Sequence, residues 1–155
     1  MDVVEVIEGA AYEQWAHRAA YDHWRVETYP LSVVWPEGFA VDSVDQLPPP
    51  AFHLVGPDEA RIWVQGPLPA ERVPPLDRME GPGQTTERIT RRAGGPLVEL
   101  RYVHDGGQWR MFHCVVERDP RWTCVVTAQT PEHRRELVRA AVDEVAVSLT
   151  PSPPE

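Results

Sequence analysis

Lysine and asparagine are both missing from this chain of 155 residues, and cysteine occurs only twice. Each absence excludes something. All 15 basic side chains are arginine, so Schiff-base chemistry and every other lysine-based mechanism is ruled out. Without asparagine there is no N-glycosylation acceptor. The codons of both missing residues are A-rich, which fits a GC-rich bacterial genome better than a functional pressure. Two cysteines, Cys114 and Cys124, are too few for a disulfide scaffold. No apolar run approaches the ~20 residues of a membrane helix. The opening Met1-Asp2-Val3-Val4-Glu5-Val6-Ile7-Glu8 lacks both the positive start and the apolar stretch of a secretory signal. These features predict a cytoplasmic protein without a membrane span. With 24 acidic residues the net charge is −9, a poor match to nucleic acid, whose phosphates supply most of a binder's affinity.

What is present is globular: 42% hydrophobic and 25% charged residues, with 17 prolines and 6 tryptophans. The length suits one domain, expected over residues 1–150 with 151–155 as a disordered tail. Val3 to Ile7 reads as a short strand. From Ala10 to Trp24, the residues Tyr12, Ala16, Ala20 and Trp24 fall four apart beside Trp15 and Ala19, and this stripe predicts an N-terminal helix over 10–24. Leu31 to Trp35 is strand-like, Pro36-Glu37-Gly38 turns, and Phe39 and Val41 resume alternation. Phe52 to Val55 and Ala60 to Gln65 flank a turn at Gly56-Pro57-Asp58-Glu59. Residues 66–84, rich in proline and glycine, form a long loop, with a helical turn near Leu76 to Glu80. Thr86 to Arg92 reads as an edge strand or a short helix.

The last third is a meander. Leu97 to His104 alternates, Asp105-Gly106-Gly107-Gln108 signals a hairpin, and Trp109 to Glu117 and Trp122 to Gln129 are the next strands. Thr130 is placed to cap a final helix with Pro131 at its first position and Glu132 near its positive end. Leu137, Val138, Ala141, Val142, Val145 and Leu149 form its apolar stripe. The expected class is α+β: a mostly antiparallel sheet with an N-terminal and a C-terminal helix against it. Register decides one question. Even-length turns at both hairpins put Trp109, Met111, His113 and Val115 on the face of Val98, Leu100 and Tyr102, together with Trp122, Cys124 and Val126. Cys114 and Cys124 then face opposite sides. Odd-length turns make them neighbours instead, since a one-residue slip exchanges the faces. A two-residue turn at Gly106-Gly107 favours the first register.

Tyr29-Pro30-Leu31-Ser32-Val33-Val34-Trp35-Pro36-Glu37-Gly38-Phe39 resembles the opening hairpin of the PsbP/DcrB/Mog superfamily. Cys124-Val125-Val126-Thr127-Ala128-Gln129-Thr130-Pro131, with a helix ending in Val147-Ser148-Leu149, is similar to that family's close. The resemblance spans about Tyr29 to Leu149. It implies an α/β/α sandwich around an antiparallel sheet and no reaction, because the family's members look like adaptors, cofactor-retention subunits and secretion chaperones. The proline-rich middle and the extra N-terminal segment depart from that pattern.

Candidate chemistry is sparse. His17 and His23 are six apart, not on one helical face. Neither Cys-x-x-Cys nor His-x-x-x-His occurs, so no metal and no cofactor is expected. An acid–base site would centre on His113, with Glu99, Glu117 or His104 beside it. The ordinary alternative makes Glu99 and Arg101 solvated cross-strand partners of Arg110. There is no nucleophile elbow, and only four serines exist. Gly81-Pro82-Gly83 and Gly94-Gly95-Pro96 each hold a proline that removes an amide a phosphate would need. The tryptophans are more informative. Trp63, Gln65, Trp109, Met111 and Trp122 form the candidate partner-binding set, a sheet-face patch over which the proline-rich loop folds. The alternative is that the C-terminal helix covers that face.

Two functions follow. One is a non-enzymatic binding module (a chaperone, adaptor or immunity-type protein) that holds an apolar or basic segment of a partner protein, its carboxylates steering a basic target. The other is a small tailoring enzyme, a lyase, cyclase or isomerase, using His113 with a carboxylate on a small-molecule ligand. A first expected outcome concerns the cysteines: thiol titration of unfolded, unreduced protein finds two free thiols. Finding none would overturn the compartment reasoning.

Overall fold

The computed structural model describes residues 3–7, 14–18, 24–28, 31–42 and 53–151. Among the described residues, twelve strands are distributed over two antiparallel sheets. Strands β1 (Val3–Ile7), β2 (Gln14–Arg18), β3 (Trp24–Thr28) and β4 (Leu31–Val34) form a smaller sheet, ordered β1-β2-β3-β4-β12 and closed by β12 (Thr150–Pro151). The larger sheet contains β5 (Ala40–Asp42), β6 (His53–Val55), β7 (Arg61–Leu68), β8 (Thr85–Arg92), β9 (Gly95–His104), β10 (Gly107–Asp119) and β11 (Trp122–Pro131), in the order β5-β6-β7-β11-β10-β9-β8. Among the described residues the one α-helix is α1 (Arg135–Ser148), which packs on β10, β11 and β4. The fold is therefore a sheet-rich α+β structure with a C-terminal helix.

The N-terminal helix expected over 10–24 is not supported: its described residues are in strands. Gln14–Arg18 is a strand paired with β1, and β3 starts at Trp24, while the rest of that stretch lies outside the described residues. The misreading has a simple cause. Tyr12, Ala16, Ala20 and Trp24 recur every four residues, a multiple of the strand period of two as well as one helical turn. Thr86 to Arg92 resolves as an edge strand beginning at Thr85.

Register in the meander is mixed. The first hairpin closes on Asp105-Gly106, both with positive φ (49° and 75°), a two-residue turn that pairs His104 with Gly107. Trp109, Met111 and His113 accordingly share a face with Val98, Leu100 and Tyr102. At the second hairpin Asp119 pairs with Trp122, again a two-residue turn, but the register shifts between Glu117 and Asp119. That β-bulge at Arg118 inserts one residue and reverses the parity of β11. Val116 therefore opposes Cys124 and Cys114 opposes Val126, so Trp122, Cys124 and Val126 lie on the face opposite to the one expected. Both cysteines are free, buried thiols on the helix side, and burial pushes each up to about 12.

The main core lies between α1 and the large sheet. Leu54, Ile62, Val64, Leu97, Phe112, Cys114, Val116, Cys124, Val126 and Ala128 come from the sheet, and Val138, Val142, Val145 and Leu149 from α1 and its end. Val26, Leu31 and Val33 join from the smaller sheet. Each large side chain of this kind contributes about 1.5–3 kcal/mol by leaving water. Leu137, expected in the stripe, is 43% exposed, and Ala146 takes a buried place instead. Thr130 and Pro131 belong to β11 and do not cap α1, because a 310 turn (Glu132–Arg134) intervenes.

The close approach of α1 to the sheet requires a glycine in the β8–β9 turn, and that of the start of β9 to β10 requires a second. A Cβ on Gly94 would sit 2.5 Å from the Ala146 Cβ, and one on Gly95 (φ 139°) would sit 2.0 Å from the Val115 carbonyl oxygen. The far end of α1 is capped from the bulge. Arg118 donates to the Leu149 carbonyl at 3.0 Å, to Ala146 at 3.0 Å and to Val147 at 3.1 Å, and Arg25 donates to Ser148 O at 3.1 Å. Two guanidinium groups thus meet the negative end of the helix dipole. Ser148 Oγ accepts from the Val34 amide at 2.8 Å, which ties the helix end to β4. Arg118→Ala is expected to lower stability by about 1–2 kcal/mol in urea unfolding at neutral pH. An unchanged midpoint would mean that water caps these carbonyls equally well.

Candidate functional site

The side of the large sheet turned away from α1 carries most of the candidate residues. Pairing aligns a row of side chains across five strands: His53 on β6, Trp63 on β7, Thr127 on β11, His113 on β10 and Val98 on β9. The adjacent row is Val55, Arg61, Gln129, Met111 and Leu100. Trp109 and Tyr102 follow toward the first hairpin, with ring centroids 6.4 Å apart, and His104 meets Trp109 edge to face at 5.2 Å. Over β7 Arg61 to Gln65, β11 Val125 to Gln129, β10 Trp109 to Val115 and β9 Val98 to His104, this face carries no carboxylate.

Val98 and Leu100 are fully buried even though α1 lies on the other face. The chain between β7 and β8 accounts for this. Leu68 ends β7 beside Thr123, Thr85 starts β8 beside Arg101, and β11, β10 and β9 stand between them. With the other face taken by the helix, the connection crosses this one. It includes two 310 turns, Ala70–Arg72 and Leu76–Arg78. One end is tied where the Ala70 amide donates to Pro120 O at 3.0 Å, the other where Gln84 Nε2 lies 3.6 Å from Met111 Sδ.

Trp63, Trp109 and Met111 remain half-buried on this face, and Gln65 is exposed. Trp122 is elsewhere: the Arg118 bulge turns it to the helix side, where it packs on the main core. His113 sits in the centre of the face, its Nδ1 2.9 Å from Thr127 Oγ1, and its Nε2 has no hydrogen-bond partner among the described residues. Burial lowers its pKa to about 4, so the imidazole is neutral at physiological pH. His53, edge to face with Trp63 at 6.0 Å, is also lowered, by burial first and by Arg61 second.

The carboxylates considered for acid–base work do not reach His113. Glu99 pairs with Phe112 and points to the helix side. It is 1% exposed, accepts from Arg88 Nε at 2.6 Å, and its second oxygen, 3.8 Å from Arg139, has no hydrogen-bond partner. Glu117 is exposed beside the bulge, and His104 is exposed at the first hairpin. Glu99 is thus not the solvated cross-strand partner that alternation suggested. Among the described residues no three His, Cys, Asp or Glu side chains converge as metal ligands would, and no helix is long and apolar enough to cross a membrane.

Sequence reasoning missed the ion pairs. Arg110, 8% exposed, is held by Glu87 of β8 and by Glu132, whose carboxylate is 2.6 Å away. Arg92 pairs with Asp143 of α1. Asp58, in a left-handed conformation (φ 55°), accepts from Arg134 at 2.7 Å and lies 2.9 Å from His133 Nε2. These partners are separated by 22 to 76 positions along the chain, and no local spacing announces them.

No family model matches this chain, and no curated protein matches its sequence. Its fold is similar to a solved one, the crystal structure of LpqN, described as involved in cell envelope biogenesis of Mycobacterium tuberculosis. The TM-score is 0.54 at 13% sequence identity, over 98% of this chain and 92% of that one. At that identity the likeness shows the fold alone, a mostly-sheet one.

The buried imidazole has a measurable consequence. Its ordinary value is 6.5 and its value in the fold is about 4, so between those limits the unfolded chain binds the proton and the native state does not. Stability therefore falls as pH drops from 6.5 to 4. His113→Gln is expected to remove about 1–3 kcal/mol of that loss, read as the difference in urea midpoints at pH 7 and pH 4.5. Parallel pH profiles for the two proteins would show that His113 is solvated.

Proposed function

We propose that this protein is a non-enzymatic binding module, of the chaperone, adaptor or immunity type, that holds an apolar or basic segment of a partner protein. The observation that carries the reading is the stretch of the sheet face over β7, β11, β10 and β9 that bears no carboxylate, where half-buried Trp63, Trp109 and Met111 adjoin exposed Gln65. In a chain of net charge −9, a four-strand stretch without carboxylates suits an apolar contact. The acidic remainder suits steering of a basic flank. Trp122 drops out of the contact set, since it packs on the other side.

The alternative, an enzyme working through His113, requires a carboxylate beside the imidazole, and Glu99 lies across the sheet from it. The PsbP/DcrB/Mog-like sandwich is our proposed frame for the fold. It is supported by the LpqN likeness and by the closing Ser148-Leu149, where the serine ties α1 to β4 and the leucine is buried. A cytoplasmic location is part of this proposal, supported by two unbonded thiols that share one sheet face. The LpqN likeness makes the cell envelope the competing location, and fractionation of the native host distinguishes them.

The full-length chain used as bait is expected to retain a stoichiometric protein partner. Trp63→Ala with Trp109→Ala is expected to weaken that capture at least about tenfold while the fold persists, as removal of interface aromatics does. If His113→Ala abolishes a biological activity while partner binding continues, the binding-module reading fails.

A further inference from the structure

β8 ends the seven-stranded sheet, pairing only with β9, and its eight residues make it a long exposed edge. Its ladder to β9 fixes which groups face outward. Arg92 and Gly95 close a two-residue turn, and Pro96, opposite Arg91, has no amide hydrogen. Arg91–Pro96 is therefore a non-hydrogen-bonded pair, and by alternation so is Ile89–Val98. The amides and carbonyls of Ile89 and Arg91 point away from the sheet, and among the described residues nothing bonds to them.

The strand is held firmly from behind. Arg88 is fixed by Glu99, Arg92 by Asp143, and Glu87, at the bulge between Thr86 and Arg88, by Arg110. What remains outward is basic and apolar: Arg91 is exposed with no acidic partner among the described residues, Arg88 is 52% exposed, and Ile89 is 43% exposed. On a chain of net charge −9 this is a local reversal of sign.

One carboxylate already uses this edge. Glu80 Oε1 accepts from the Thr86 amide at 2.7 Å, and the Thr86 backbone and hydroxyl together hold the Glu80 carboxyl below its ordinary value. The contact shows which group this edge accommodates: an acceptor of negative charge at an amide of β8.

We propose that β8 is a strand-addition site for an extended acidic, β-branched segment of a partner protein. The segment pairs with the outward amides and carbonyls of Ile89 and Arg91 and, on the face those two side chains share, sets a carboxylate against Arg91 and, two residues along, an apolar side chain against Ile89. Ile89 lies in the same row as Val98 and His113, but the bonding groups of β8 lie at the sheet edge, two strands from Trp109 and four from Trp63, so the loss of either tryptophan leaves them in place.

The test uses the full chain and a short synthetic threonine-rich peptide with a valine and a glutamate two residues apart, with a twin carrying lysine in place of glutamate as control. The acidic peptide is expected to bind, to protect the Ile89 and Arg91 amides from hydrogen exchange, and to weaken as salt is raised. Arg91→Glu, at an exposed and unpaired position, is expected to weaken it about tenfold, and Arg91→Ala less. Equal binding of the lysine twin, protection at other amides, or no binding of the acidic peptide would each overturn the proposal.

Discussion

Arg118 is the extra residue that β10 carries where it turns into β11, and much of the architecture depends on that insertion. Two-residue turns at both ends of β10 would keep one parity through the whole meander. With the bulge, Cys124, Val126 and Ala128 face the same side as Phe112, Cys114 and Val116 and complete the surface on which α1 packs. The bulge also aims the Arg118 guanidinium at the last carbonyls of α1. One local irregularity so determines which side chains meet the helix and how the helix ends. It also removes Trp122 from the other face, which leaves that face to Trp63 and Trp109.

The absence of lysine takes on meaning through position. Arg88, Arg92, Arg110 and Arg139 lie along the contact between the β8–β10 side of the large sheet and α1, each opposite a carboxylate. A planar guanidinium with several donors can hold two acids at once, as Arg110 does with Glu87 and Glu132. Arginine usage that reflects codon supply in sequence terms is thus put to structural use at this seam. The seam also fastens β8, leaving its outer edge as an ordered, basic margin on an acidic protein.

The two sides of the large sheet divide the work. The helix side is apolar core with a charged border, and its thiols are buried and raised well above physiological pH. The other side is crossed by a proline-rich connection that covers Val98 and Leu100 while leaving aromatic side chains partly open. His113 belongs to that second side as a neutral, hydrogen-bonded side chain without a neighbouring acid. The sheet thus presents aromatic area on one face and a strand edge at β8, the two features on which the proposed binding rests.

The sequence by itself determined the meander, the terminal helix and a sheet-rich α+β class, because these rest on short-range periodicity and turn chemistry, though its two-residue turn falls on Asp105-Gly106 and not on Gly106-Gly107. It misread residues 10–24, where a spacing of four satisfies helix and strand alike, and it placed the face of Trp122 and Cys124 wrongly, because no local signal marks the bulge at Arg118. Tertiary structure alone decided the charge partners: Glu99 turned inward to Arg88 instead of toward solvent, and Arg110 joined β8 to the start of the helix. The reason is physical. Periodicity is a property of neighbours along the chain, whereas a buried charge is settled by whichever opposite charge the fold brings within hydrogen-bonding distance.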